Sequence, residues 1–76
     1  MNLYLISQDT NNDYDTYDSA VVAAESEDIA QTIHPGNKAW AAMPDWTDAE
    51  NVSVELIGIA KEGTEQGVIC ASFNAG

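Results

Sequence analysis

The charge of this chain is its most restrictive feature. Thirteen aspartates and glutamates accompany only two basic residues, Lys38 and Lys61, among 76 residues, for a formal net charge of −11. Two lysines can pair with few of the thirteen carboxylates, so salt bridges within the chain cannot neutralise the excess, and the self-repulsion costs stability. Apolar residues still make up 45% of the chain, which is typical of a folded domain rather than of a disordered acidic tail. The sequence therefore predicts a folded protein with an uncompensated acidic surface.

The length of the chain predicts one compact domain, residues 1–76. A domain of this size hides roughly 60% of the surface of its unfolded chain, and its core seldom supplies more than about 3–5 kcal/mol. A deep catalytic cleft between two domains is therefore not expected.

The composition also limits the possible partners. Affinity for the phosphate backbone comes from lysine and arginine, and the chain has no arginine, so we expect neither direct nucleic-acid binding nor attachment to an anionic membrane. The sequence shows no apolar run of transmembrane length and no basic signal-peptide region, so a cytoplasmic location is expected. A charge of −11 attracts a cation, a basic protein or the basic groove of a nucleic-acid-binding protein.

Short apolar runs bounded by turn residues predict four strands, over residues 3–7, 18–24, 52–60 and 67–73. The alanines of the second run also fit a helix continuing to Ile33, but the valines favour a strand. Ser26 is placed to cap a short helix over residues 27–33, with acids in its first turn and with Ile29, Ala30 and Ile33 buried.

The order of these elements is strand, strand, helix, strand, strand. It predicts an α+β fold in which a four-stranded antiparallel sheet of order 2-1-3-4 carries one short helix on one face, with a right-handed crossover through the helix. Residues 61–67 form a hairpin loop between the last two strands in this arrangement. A β-grasp strand order is the alternative.

Two acidic segments are the candidate partner-binding site. Residues two apart on an extended chain lie roughly 6.6 Å apart on one side, which is close to the spacing of successive phosphates. A calcium loop is not predicted, because from Asp9 onward the positions that need glycine and glutamate hold Tyr14 and Ala20. A solvated polar loop remains the simplest alternative. The first segment contributes Asp9, Asp13, Asp15 and Asp18, and the second contributes Asp45, Asp48 and Glu50 beside Trp46.

The segment around Trp40, Met43 and Trp46 has two interpretations. Tryptophan and methionine are enriched at protein interfaces, so an indole beside acidic residues could anchor a partner. In so small a domain a tryptophan also commonly completes the core. A short helical turn is expected at residues 38–42, and Thr47 is a second candidate helix cap.

No residue pattern predicts catalysis, a metal site or a cofactor. His34 is the only imidazole, and it follows the predicted helix, where the helix dipole favours its charged form. Cys70 is the only cysteine and lies in an apolar stretch, where a buried inert thiol is expected. We therefore do not expect an enzyme.

In size, charge and organisation the whole chain resembles the short acidic proteins of phages and other mobile elements, several of which are anti-CRISPR proteins or restriction inhibitors that act as DNA mimics. The resemblance implies a stoichiometric inhibitor, in the cytosol of a host bacterium, that binds a basic nucleic-acid-binding surface of an immune complex such as a CRISPR effector. Two alternatives remain open. One is a protein-interaction module that binds through residues 40–46, and the other is a small cation-binding domain.

Overall fold

The computed structural model describes residues 1–10, 16–36 and 46–74. Asp13, Asp15, Asp45, Trp40, Met43 and the helical turn predicted at residues 38–42 lie outside these ranges. The described elements, in chain order, are β1 (Asn2–Ser7), β2 (Thr16–Ala24), α1 (Glu27–Gln31), a 3-10 turn (Ala49–Asn51), β3 (Ser53–Ile59) and β4 (Gly67–Asn74).

The four strands form one sheet in the order β3-β1-β2-β4, and every neighbouring pair is antiparallel. Helix α1 packs on β1, β2 and β3. The predicted α+β class, the four antiparallel strands and the short helix are confirmed. The predicted order 2-1-3-4 is wrong, because β4 pairs with β2 and not with β3.

The burial of β2 explains this strand order. Val22, Ala23 and Ala24 are fully buried, which suits a strand with a partner on each side, whereas Leu56 and Ile59 of β3 are 56% and 79% exposed. Residues 60–66 therefore cross the end of the sheet instead of forming the predicted hairpin. β3 and β4 lie three strand spacings apart, which is about 14 Å. Seven extended residues span about 23 Å, so this segment is long enough to connect the two edges.

Helix α1 begins as predicted and ends earlier. The Ser26 hydroxyl accepts the Ile29 N–H at 3.3 Å, which confirms Ser26 as the N-cap, with Glu27 and Asp28 in the first turn. At the other end Thr32 donates both its N–H and its hydroxyl to the Ile29 carbonyl, at 3.1 and 2.8 Å. These bonds close the helix after Gln31. Ala30 is buried, and Ile29 and Ile33 pack partly buried against the core.

The core lies between α1 and one face of the sheet. Tyr4 and Ile6 of β1 and Val22 of β2 supply its centre, and Trp46 and Val52 close it from the segment before β3. Trp46 is only 2% exposed. The structure thus places this indole in the core, which is one of the two interpretations that the sequence allows.

His34 lies in an aromatic cluster at the edge of the core. It is 3% exposed, and its ring packs edge-on against Tyr17 at 5.7 Å and Trp46 at 6.3 Å between centroids. Its Nδ1 accepts the Gly36 N–H at 2.8 Å, so that nitrogen carries no proton. The ring is thus buried in the core and not at the exposed end of the helix.

Cys70 is exposed rather than buried. The predicted buried thiol is wrong because β4 is an edge strand, with most of its side chains in solvent.

Candidate acidic interface

A buried glutamine holds the two ends of the first acidic segment together. Gln8 follows β1 and is 7% exposed. Its Nε2 donates to the Tyr17 carbonyl at 2.8 Å, and its backbone N–H donates to the Asp18 carbonyl at 3.1 Å. Residues 8 and 18 are thereby fixed beside each other at one end of the sheet.

A hydrogen-bonded chain of side chains joins this segment to the second one. The Thr10 hydroxyl donates to Gln8 Oε1 at 3.2 Å and lies 3.0 Å from the Thr47 hydroxyl. Since the single proton of Thr10 is given to Gln8, the Thr47 hydroxyl donates to Thr10. The chain runs from Thr47 through Thr10 and Gln8 to the Tyr17 carbonyl, and every member has a donor or acceptor partner.

This contact brings the two predicted acidic segments to the same place. Asp9 directly precedes Thr10 and Asp48 directly follows Thr47, and both side chains are exposed. Asp18 and Glu50 are exposed as well, each near the same ends of the strands. We call the four described acidic residues here, Asp9, Asp18, Asp48 and Glu50, the acidic end.

Local backbone structure presents two of these carboxylates. The register of the β2–β4 pairing shifts between Tyr17 and Ser19, so Asp18 is the extra, exposed residue of a β-bulge. The Ser19 hydroxyl donates to Asp18 Oδ1 at 3.5 Å. Asp48, and not Thr47 as predicted, is the N-cap of the 3-10 turn, and its side chain makes no capping hydrogen bond. Its carboxylate is thus not used by the turn.

The buried Trp46 positions the second segment. Because its indole is in the core, the next two residues are held at the surface, with the Thr47 hydroxyl on Thr10. A partner anchored on the indole itself would require Trp46 to leave the core. Trp46 therefore belongs to the core, two residues before the exposed Asp48.

The remaining charges occupy other parts of the surface. All ten acidic residues in the described ranges are exposed. Glu25, Glu62 and Glu65 lie at the opposite end of the strands, and Lys61, the one lysine within the described ranges, lies there too. The acidic end therefore has no described basic residue to offset it.

The residues that assemble the acidic end are not the ones the sequence singled out. Gln8 and Thr10 have no charge and belong to no motif, and Thr47 was expected only as a helix cap. Their contacts join positions up to 37 apart in the chain. The sequence indicated only the polar character of residues 8–18.

Within the described ranges there is no cavity, no group of three or more histidine, cysteine or acidic side chains arranged to hold a metal, and no helix capable of spanning a bilayer. Comparisons of the chain with protein-family models, curated proteins and solved structures find no match. The chemistry of the acidic end is that of a carboxylate surface, which forms charge-assisted hydrogen bonds with lysine and arginine.

Proposed function

We propose that this protein is a stoichiometric inhibitor that binds a basic nucleic-acid-binding surface of another protein through its acidic end. The observation that supports the proposal is the 3.0 Å contact between the Thr10 and Thr47 hydroxyls. It unites two acidic segments that are far apart in the chain into one surface. A folded scaffold that holds carboxylates together offers a basic groove a substitute for a polyanion.

Electrostatics supplies both the encounter and the retention. A net charge of −11 steers the protein toward a basic surface and raises the association rate. At contact, carboxylates such as Asp18 and Asp48 pair with lysine or arginine, and each well-desolvated pair slows dissociation. Neither step needs catalysis or a cofactor.

The resemblance to acidic phage proteins suggests the class of target. We propose a bacterial immune complex, such as a CRISPR effector, whose groove holds nucleic acid. In that groove the acidic end competes with the phosphate backbone for the same lysines and arginines.

A competition experiment tests the proposal. The protein is titrated into a purified CRISPR effector bound to fluorescent duplex DNA, and DNA release is followed by anisotropy at about 50 mM and about 200 mM salt. We expect release at near-stoichiometric protein, and a direct affinity for the effector that falls steeply with salt. Affinity capture from a bacterial lysate at low salt extends the test to other nucleic-acid-binding proteins. Binding that is unchanged by salt, or that leaves the DNA in place, contradicts the mechanism.

A further inference from the structure

One aromatic side chain is exposed at the acidic end. Phe73, near the end of β4, is 45% exposed, whereas the other aromatic rings in the described ranges are buried or half-buried. Because β4 is antiparallel to β2 and pairs Phe73 with Tyr17, Phe73 lies at the same end of the sheet as Asp18. The other exposed large apolar side chains in these ranges lie further from this end: Met1, Leu56, Ile57, Ile59 and Ile69.

A neighbouring ring restricts the orientation of Phe73. The centroids of the Phe73 and Tyr17 rings are 4.8 Å apart, and the ring planes make an angle of 64°. Tyr17 in turn packs edge-on against the buried His34. The Phe73 ring is thus supported from the core side while much of its surface stays open, so it loses little side-chain freedom when a partner contacts it.

The β-bulge in β2 places a carboxylate beside this ring. Asp18 is the extra residue between Tyr17, which pairs with Phe73, and Ser19, which pairs with Ser72. Residues that lie directly or diagonally across two neighbouring strands have Cβ atoms about 5–8 Å apart. Asp18 is also exposed. A long side chain of a partner can therefore contact the Phe73 ring and the Asp18 carboxylate together.

We propose that Phe73 and Asp18 bind an arginine side chain of the basic target, with its guanidinium stacked on the ring and hydrogen-bonded to the carboxylate. This inference rests on the proposed function, since it names the side chain that the acidic end recognises. A guanidinium is planar and weakly hydrated, so its face stacks on an aromatic ring while its edge donates to a carboxylate. The ammonium group of lysine is compact and strongly hydrated, and it gains less from the ring.

Other occupants fit the pair less well. An apolar side chain on Phe73 would desolvate the Asp18 carboxylate without pairing it, which is costly. An acidic partner is repelled by the net charge of −11. Arginine satisfies both the ring and the carboxylate, and it is a common side chain on nucleic-acid-binding surfaces because its fork of donors matches phosphate.

Two peptides of equal charge test the preference. Octa-arginine and octa-lysine are each titrated into the unmodified protein by calorimetry at about 50 mM salt. We expect octa-arginine to bind more tightly. Phe73→Leu keeps an apolar side chain but removes the aromatic face, so it should lower the affinity for octa-arginine about fivefold and leave that for octa-lysine nearly unchanged. Phe73→Tyr retains the ring and should retain the preference.

Two further variants serve as controls. Ile69→Ala removes a similarly exposed apolar side chain of β4, 52% exposed and further from Asp18, and should leave both affinities unchanged. Asp18→Asn should weaken both peptides. In that background Phe73→Leu should cost octa-arginine less than it does alone, because ring and carboxylate hold one guanidinium. Proton NMR should show the arginine side-chain resonances shifted upfield by the ring in the complex, and unshifted with Phe73→Leu.

Several results would overturn the inference. These are equal affinities for the two peptides, an arginine preference that survives Phe73→Leu, or an equal effect of Ile69→Ala. Should Phe73→Leu fail to fold, as judged by circular dichroism, Phe73→Tyr and the NMR shifts of octa-arginine on the unmodified protein decide the matter.

The peptide experiment is independent of the proposed function, because it contains no nucleic-acid-binding protein. A protein that prefers octa-arginine but leaves DNA on the CRISPR effector contradicts the proposed function alone. A protein that displaces the DNA without preferring octa-arginine contradicts the present inference alone.

Discussion

The hydroxyl oxygens of Thr10 and Thr47 lie 3.0 Å apart, although the two residues are 37 positions apart in the chain. This contact joins the segment after β1 to the segment before β3 and continues through Gln8 to β2. It sets the relative position of the Asp9 and Asp48 carboxylates, and the geometry of the acidic end depends on it.

Replacing Thr47 by valine should loosen the acidic end. Valine keeps the shape of threonine but removes the hydroxyl that donates to Thr10, and a hydrogen bond of this kind contributes about 1 kcal/mol to the free energy of unfolding. Urea denaturation should show a loss of that size, and affinity for a basic target should fall with it. Thr47→Ser retains the hydroxyl and serves as the control, so equal losses in both variants would argue against the bond.

Neutralising the acidic end should weaken binding more than neutralising the other end of the sheet. In the double variant Asp18→Asn with Asp48→Asn, we expect the affinity for a basic nucleic-acid-binding target to fall at least about tenfold, since hydrogen bonds to charged groups contribute about 1.5–3 kcal/mol each. The matched control, Glu62→Gln with Glu65→Gln, changes the net charge equally and should alter affinity only slightly. Titration calorimetry at two salt concentrations measures both. If the two variants weaken binding equally, overall charge and not the acidic end is responsible.

Truncating Trp46 should unfold the protein. Its indole is 2% exposed and is the largest buried side chain among the residues that the structure describes, and removing such a group costs about 3–5 kcal/mol. That cost is comparable with the whole stability expected of a small domain. Circular dichroism of Trp46→Ala should therefore show loss of the folded state, while Trp46→Phe should fold with reduced stability. A stable, folded Trp46→Ala protein that no longer binds its target would instead indicate an interface role.

Gly36 should be intolerant of a side chain. A Cβ at this position would lie 3.0 Å from His34 Cε1 and 3.1 Å from the Tyr17 hydroxyl, so the aromatic cluster would have to shift. We expect Gly36→Ala to lower the free energy of unfolding by about 1–3 kcal/mol, as overpacking typically does. At Gly58 a Cβ would meet only Leu3 Cδ1, at 4.0 Å, so Gly58→Ala is the control and should be close to neutral. Thermal unfolding of the two variants compares them, and equal midpoints would contradict the packing seen around His34.

Local signals in the sequence predicted local structure. The apolar runs located all four strands, and Ser26 with the acids after it located the start of α1, because a strand pattern or a cap is encoded by neighbouring residues. The excess of carboxylates on the surface was equally evident, because two lysines cannot offset thirteen acids. These features require no knowledge of which segments meet.

The tertiary structure alone decided which segments meet. The orders 2-1-3-4 and 3-1-2-4 both make every neighbouring pair antiparallel, and only the burial of β2 between two partners selects the second. The same long-range packing turned His34 inward, exposed Cys70 on an edge strand and brought Thr10 to Thr47. Such contacts depend on the summed free energy of packing over the whole chain, so no window of neighbouring residues contains them.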